Sequence, residues 1–216
     1  MAKAVLTSIK PQWCALIANG EKTIEVRKTR PKLDTPFKCY IYCTNGGRLL
    51  YKSGYNNEIH FWQIKERETT RDVLTEHGHQ VFNGKVIGEF VCKKIDRLAH
   101  IGTTAANVRL QMTSSDGLSS SFITPEWLHQ TCLTMQELES YSAGGDLYGL
   151  HISDLVIYEE PKELSNFLIE CKNKECSSCE WLHFFPKDYY MPYCEWNEKK
   201  PLTRPPQSWC YVEELK

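Results

Sequence analysis

The chain lacks any apolar run approaching the roughly 20 residues that a membrane-spanning helix needs. Its first residues, 1–5, also lack the apolar core of a secretory signal peptide. These absences predict a cytoplasmic protein with no membrane partner. In that reducing compartment the 10 cysteines are expected to be thiols or metal ligands and not disulfides.

The chain also has little net charge, because 26 Lys and Arg residues face 27 Asp and Glu residues. A protein that is basic throughout is therefore excluded. The positive charge is concentrated in residues 1–32, which hold seven basic and two acidic residues, a local charge of +5. Such a basic segment attracts phosphate, and a solvated charged surface is the alternative interpretation.

The segment 8–31 contains a predicted helix, a glycine and a predicted charged strand. Pro11 suits the first turn of a helix, and Gly20 is typical of a helix C-terminus. The apolar face of the helix contains Trp13, Leu16 and Ile17. After Gly20 the pattern has period two, which places Ile24 on one face and Glu25 and Arg27 on the other.

Glu25 and Arg27 on one strand face must meet solvent, a ligand or each other. Lys22 lies at the junction between helix and strand, so it can join the same face. An edge strand with an exposed ion pair is the alternative interpretation, and such pairs contribute little stability.

The spacing of Gly20, Lys22, Glu25 and Arg27 matches G-x-K-x-x-E-x-R, and in this it resembles the ASCH family, a branch of the PUA-like β-barrels. The resemblance covers residues 3–160 in the order of predicted elements. It implies an α+β fold, a PUA-like and mainly antiparallel β-barrel with short helices. It also implies a cleft whose partner is RNA, a nucleotide or a modified nucleoside.

Period-two and β-branched segments predict five strands, at 4–9, 23–28, 37–44, 85–95 and 147–158. Helices are predicted after Thr124 and in the capping box that starts at Thr134. A helix is also predicted near 70–77, and loops are predicted at 51–70 and 102–121. We expect an ASCH/PUA-like domain at 1–161 and a cysteine-rich extension at 162–216 that packs on it.

The predicted site is one concave, solvent-reachable cleft. The charged side chains expected to line it are Lys22, Glu25 and Arg27, and those expected at its walls are Lys10, Trp13 and His151. The cations would meet phosphate or a carbonyl, the carboxylate would accept donors of a base or sugar, and an aromatic ring would stack. His151 enters through the resemblance, which implies that its strand runs beside the cleft, and a hydrogen-bonded structural histidine is the alternative.

A hydrolase acting on a modified nucleoside or on RNA is a second hypothesis, with Lys22 and Glu25 as catalytic candidates. Some ASCH-like proteins resemble amidohydrolases acting on acylated cytidine, in which a Thr nucleophile follows the motif lysine by three positions. Here Glu25 occupies that position, and Thr23 is the nearest threonine. Lys-activated or Glu-based acid–base chemistry stays open, so the sequence leaves enzymatic activity undecided.

Half of the cysteines lie in the extension. Four of them have the spacing C-x4-C-x2-C-x14-C, namely Cys171, Cys176, Cys179 and Cys194. The C-x2-C pair suits tetrahedral zinc, so we expect a closed structural zinc site, with His183 as a substitute ligand. No second C-x2-C follows within the extension, and ordinary thiols or a redox pair are the alternatives. A protein-interaction adaptor that uses this extension is a third functional hypothesis.

Overall fold

A computed structural model of the chain describes residues 3–46, 49–52, 61–63, 75–76, 78–102, 109–114, 119–170 and 199–215, with the backbone alone at 61–63. Most of the predicted 51–70 loop, most of the 70–77 helix and the four zinc-ligand candidates lie outside these ranges. The predicted α+β class is confirmed, since the described residues form mostly strands with a few short helices.

Three of the described helices begin where the sequence predicted, and a 3-10 helix is present that it did not predict. The described helices are α1 (Pro11–Ala18), α2 (Pro125–Thr131), α3 (Met135–Ser142) and a 3-10 helix (Leu164–Asn166). Thr124 caps α2, and Thr134 with Glu137 forms the complete capping box of α3. Gly20 follows α1 with φ of +76°, the left-handed conformation that ends helices. None of the helices described in this structure is long and apolar enough to cross a membrane.

All five predicted strands are present, and others join them. The main sheet contains β1 (Lys3–Ile9), β2 (Ile24–Arg27), β3 (Phe37–Cys43), β7 (Val86–Ile101), β8 (Arg109–Thr113), β9 (Ser120–Ser121), β10 (Leu147–Lys162) and β13 (Trp209–Glu213). Smaller sheets are formed by β4 (Leu50–Lys52), β5 (Phe61–Gln63) and β6 (Gln80–Val81), and by β11 (Leu168–Glu170) and β12 (Lys199–Pro201). The predicted 102–121 loop is therefore partly wrong, because β8 pairs with an extended β7 in that region.

The main sheet is not closed into the predicted barrel. Its order is β13-β1-β3-β7-β10-β2, with β8 and β9 attached to β7, and no backbone ladder among the described residues joins β2 to β13. The C-terminal strand explains this difference. Antiparallel β13 pairs with β1 from Lys3 opposite Glu213 to Thr7 opposite Trp209, while parallel β3 pairs along the other edge of β1. Both edges of β1 are therefore occupied, and β2 ends the sheet.

Side chains bridge the two ends of the sheet where backbone pairing stops. We call this region, between residues 27–32 and residues 8 and 206–211, the seam. Trp209 Nε1 donates to Thr29 Oγ1 at 3.0 Å, and Lys32 N donates to Tyr211 Oη at 2.7 Å. The C-terminal segment thus packs on the main sheet and contacts both of its ends.

The alternation predicted for β2 is confirmed by the core. Ile24 and Val26 pack in one hydrophobic cluster with Trp127, Leu138 and Leu147. The opposite face of β2 therefore carries the charged side chains toward the interior that α1, β1 and β3 enclose.

Candidate functional site

Three charged side chains, Lys22, Glu25 and Arg27, are inside the protein, and we call them the charge cluster. Their residues are only 2%, 6% and 8% exposed. In β2, Glu25 is opposite Leu150 of β10, and Arg27 is opposite Tyr148. The sequence predicted an open, solvent-reachable cleft, whereas here the three side chains are buried and protein groups contact their charged atoms.

Glu25 lies between the two cations. Lys22 Nζ is 3.6 Å from Glu25 Oε2, and Arg27 Nε is 3.0 Å from Glu25 Oε1. Each cation also donates to a backbone carbonyl, Lys22 Nζ to Thr131 O at 2.6 Å and Arg27 Nη2 to Ser8 O at 2.7 Å. The charge cluster therefore joins the helix α2 and the strand β1 to β2.

The charge cluster has a formal excess of one positive charge, because two cations face one carboxylate. Arg27 Nε has no hydrogen-bond partner among the described residues, since its contact with Glu25 is an ion pair without hydrogen-bond geometry. Burial lowers the pKa of Lys22, and the Glu25 carboxylate acts in the opposite direction. A buried, uncompensated cation is costly, so an anion or carbonyl acceptor is the chemical group that suits this site.

Aromatic rings flank the charge cluster on two sides. Trp13 of α1 lies under Lys22, with Nζ 5.2 Å from the ring centroid. Tyr141 of α3 is 40% exposed and stacks with Lys28, whose Nζ is 5.1 Å from its centroid. Burial raises the pKa of Tyr141, and the nearby Arg27 guanidinium acts in the opposite direction.

Lys10, expected at the wall, has an exposed side chain at the start of α1. Its carbonyl accepts from the backbone N–H groups of Trp13 and Cys14, both at 3.0 Å. Its backbone thus helps to position Trp13 under Lys22, while none of the described contacts brings the Lys10 ammonium group to the charge cluster.

His151 is on the other face of the sheet. It is directly opposite Ile24, and directly opposed residues of an antiparallel pair point to the same face. Its Nε2 is 2.7 Å from Asp96 Oδ2, which also accepts from Trp127 Nε1 at 2.9 Å. The structure therefore groups His151 with a second polar set and not with Glu25.

Asp96 is the centre of that second set. Lys94 Nζ lies 2.8 Å from its other oxygen, Oδ1. Burial alone would raise the pKa of Asp96, but hydrogen bonds from His151, Lys94 and Trp127 outweigh it and hold the pKa well below its ordinary value. Asp96 is thus an ionised carboxylate that fixes the imidazole.

Asp96 and Tyr141 were not predicted as site residues. The sequence contains one pattern that indicates the position of Asp96 and none that indicates that of Tyr141. Asp96 precedes buried Leu98 by two residues in β7, and period two places both on the inward face. Tyr141 reaches Lys28 only because α3 packs beside β2, and no local pattern reports that tertiary arrangement.

A pocket of about 570 Å³ lies beside the charge cluster, on the side of α2 and α3. Its lining includes Glu21, Leu128, Cys132 and Met135. Cys132 Sγ is 3.6 Å from the carbonyl oxygen of Glu21. Burial raises the pKa of the Cys132 thiol, while the nearby Lys22 acts in the opposite direction.

The four cysteines predicted to bind zinc, Cys171, Cys176, Cys179 and Cys194, lie outside the described residues. Within the described part of the chain, no three His, Cys, Asp or Glu side chains are grouped to hold a metal ion. Zinc in the extension stays a prediction from spacing.

No protein-family model and no curated protein matches the chain. Among solved structures, it is similar to ASCH from Zymomonas mobilis, with 14% identity and a TM-score of 0.46 over 98% of this chain and 88% of that one. Two mutant forms of that protein give 14% and 13% identity and TM-scores of 0.47, over 99% and 98% of this chain and 92% and 89% of theirs. The chain therefore has ASCH structures among its structural neighbours. Because the identities and TM-scores are low, the functional proposal rests on the residues of this chain.

Proposed function

We propose that the protein is an RNA- or nucleotide-binding module and that the charge cluster binds a phosphate or base carbonyl of the ligand. The observation that carries this proposal is the buried excess of positive charge in Lys22, Glu25 and Arg27. Structural ion pairs usually balance their charges, since an uncompensated buried charge destabilises the fold. An anionic ligand group would supply the missing negative charge.

Each member of the charge cluster has a distinct role in this proposal. Arg27 Nε is buried 3.0 Å from Glu25 Oε1 and lacks a hydrogen bond of good geometry among the described residues, and it is the donor that would turn to a ligand oxygen. Glu25 orients both cations and accepts from a base amino group or a sugar hydroxyl. We place the approach of the ligand at the seam, where Arg27 contacts Ser8 and individual hydrogen bonds, rather than a backbone ladder among the described residues, join the two ends of the sheet.

Nucleotide titration tests the proposal. Calorimetry with nucleoside monophosphates and short RNAs should detect binding by the parent protein. Arg27→Gln and Lys22→Gln should weaken binding by about tenfold or more and flatten its dependence on salt, because each removes a charge-assisted contact. Arg97→Gln is the matched control, since Arg97 is paired with Asp146 at the surface, with a 42% exposed side chain.

Because Arg27 is buried, folding of each variant must be checked by circular dichroism. Arg27→Lys keeps the charge and serves as a second, milder variant. If folded Arg27→Gln and Lys22→Gln bind every nucleotide and RNA as the parent does, the charge cluster is only scaffold and the proposal fails.

A hydrolase is the second candidate, and the lowered pKa of Lys22 favours it. Burial moves the amine toward the neutral form that a general base needs. Incubation with acylated nucleosides and short RNAs, followed by chromatography, would detect products. Turnover that disappears in Lys22→Gln would establish catalysis, and unchanged substrates would restrict the protein to binding.

We also propose a structural zinc ion in the extension, on cysteine spacing alone. Elemental analysis of protein purified without chelator should give about one zinc per chain. Zinc that persists after Cys176 and Cys179 are both replaced by serine would contradict these ligands.

A further inference from the structure

The segment that follows β2 carries three exposed cations. We call Lys28, Arg30 and Lys32 the outer strip; all three are exposed, and Pro31 between them is buried. Among the described residues none of the three forms an ion pair. The same holds for Lys10, Lys52, Lys162 and Lys200, whereas six other surface lysines are paired. Those paired lysines are Lys3, Lys38, Lys85, Lys93, Lys94 and Lys199. What distinguishes the outer strip is that its three unpaired cations lie within five residues, and such a cluster of positive charge is typical of a phosphate-binding surface.

Aromatic rings lie at both sides of the outer strip. On one side Tyr141 is 40% exposed, with Lys28 Nζ 5.1 Å from its ring centroid. On the other side Trp209 is held to Thr29 by its 3.0 Å hydrogen bond. Trp209 packs edge-on against Tyr211 at 5.3 Å between centroids, and both rings are partly exposed. These contacts fix the orientation of the rings while part of each surface stays accessible.

The combination of available cations and partly exposed rings distinguishes between classes of ligand. A free phosphate would use the cations alone. A duplex would present phosphates, but its stacked base pairs keep the base faces from aromatic side chains. Unpaired nucleotides use both groups, because their bases stack on aromatic rings while their phosphates meet Lys and Arg.

We propose that the outer strip, with Tyr141 and Trp209, binds single-stranded nucleic acid. Phosphates lie along Lys28, Arg30 and Lys32, and bases stack on the two rings. The inference rests on the proposed function, since one nucleotide enters the charge cluster and its neighbours lie along the outer strip. Lys28 and Lys32 are four residues apart, so their Cα atoms are at most about 14 Å apart. That length of chain suits contact with a few nucleotides.

Fluorescence anisotropy with a labelled single-stranded RNA of about eight nucleotides tests the inference. The strip variant replaces Lys28, Arg30 and Lys32 with glutamine. The control variant replaces Lys3, Lys85 and Lys93 with glutamine, which removes the same charge from lysines that have ion-pair partners. We expect at least tenfold weaker binding for the strip variant and a salt slope smaller by about two, but less than a twofold change for the control.

Stacking is tested separately. Tyr141→Leu should weaken single-strand binding about fivefold or more, and Tyr141→Phe should retain it because the ring face persists. The same RNA annealed to its complement should bind more weakly than the single strand. The affinity for a single-stranded DNA of the same sequence should be measured as well. Comparable affinities for RNA and DNA would mean that the outer strip does not distinguish ribose from deoxyribose.

The inference and the proposed function fail in different ways. Loss of mononucleotide binding in Arg27→Gln, together with unchanged oligonucleotide binding in the strip variant, would overturn only the inference. Duplex binding as tight as single-strand binding would also overturn it. A parent protein that binds neither mononucleotides nor oligonucleotides would overturn both.

Discussion

Arg27 Nη2 donates a hydrogen bond of 2.7 Å to the carbonyl oxygen of Ser8. Ser8 is itself held by the C-terminal segment, since its N–H donates to Ser208 O at 2.9 Å and its hydroxyl to Pro206 O at 2.6 Å. One arginine of the charge cluster therefore connects the last strand of the sheet to β1 and, through Ser8, to the C-terminal segment. Arg27 and the hydrogen bonds of the seam are therefore physically linked.

The seam hydrogen bond between Trp209 and Thr29 should stabilise the fold measurably. Trp209→Phe and Thr29→Val each remove one partner, so each should lower the free energy of unfolding by about 1 kcal/mol. Urea denaturation of both single variants and the double variant gives their coupling energy. The double variant should lose less than the sum of the singles, and strictly additive losses would contradict the contact.

Gly149 is predicted to be intolerant of a larger side chain. A Cβ there would lie 2.7 Å from Trp127 Cζ2 and 3.0 Å from Ile24 Cγ2. Gly149→Ala should therefore destabilise the protein by about 1–3 kcal/mol through overpacking between β10 and α2. Gly145→Ala is the control, because its nearest contact would be Ser142 O at 3.5 Å. Equal melting temperatures for the two variants would disprove the packing at Gly149.

Asp96 should make stability depend on acid. Its pKa is depressed in the folded protein, so the stabilisation is fully present above the unfolded value of about 3.9 and is lost as pH falls through that value toward the folded pKa. Asp96→Asn should flatten the decline in unfolding free energy between about pH 5 and pH 2. Asp154→Asn should not, because Asp154 pairs with Lys93 at the surface, with a 61% exposed side chain. An unchanged pH profile in Asp96→Asn would contradict the predicted role of the hydrogen bonds to Asp96.

Glu25 should control both the stability and the charge of the site. Glu25→Gln leaves Lys22 and Arg27 buried without their carboxylate, so the unliganded protein should be destabilised by about 3–5 kcal/mol. If the charge cluster binds an anion, a nucleoside monophosphate should raise the melting temperature of this variant more than that of the parent. Equal ligand-induced shifts in scanning calorimetry would argue against anion binding at this position.

Local patterns in the sequence were sufficient to predict much of the fold. The capping box at Thr134, the helix end at Gly20 and the alternation around Glu25 depend on neighbouring residues, and all three were found as predicted. Closure of the sheet depends on which distant strand pairs with the free edge of β1, and that strand is β13, about 200 residues away. Short β8 lacked a signal because its flanks are rich in Ser, Thr and Gly, residues typical of loops.

The candidate site was predictable only along one strand. Period two placed Glu25 and Arg27 together, but the burial of Lys22 depends on α2 providing the Thr131 carbonyl. His151 is in β10, which pairs with the strand β2 that carries Glu25 and Arg27. Because His151 is directly opposite Ile24, its side chain is on the opposite face of the sheet from theirs. A register shift of one residue would reverse that outcome, and the sequence alone does not specify register.

The side-chain resonance of Arg27 Nε tests the central claim most directly, because this N–H lacks a hydrogen-bond partner among the described residues. The signal can be assigned in ¹⁵N-labelled protein by its disappearance in Arg27→Lys. Titration with a nucleoside monophosphate should shift it in a saturable manner, whereas the matching nucleoside should shift it less. A resonance that stays fixed while the protein binds the nucleotide would contradict the assignment of the charge cluster as the binding site.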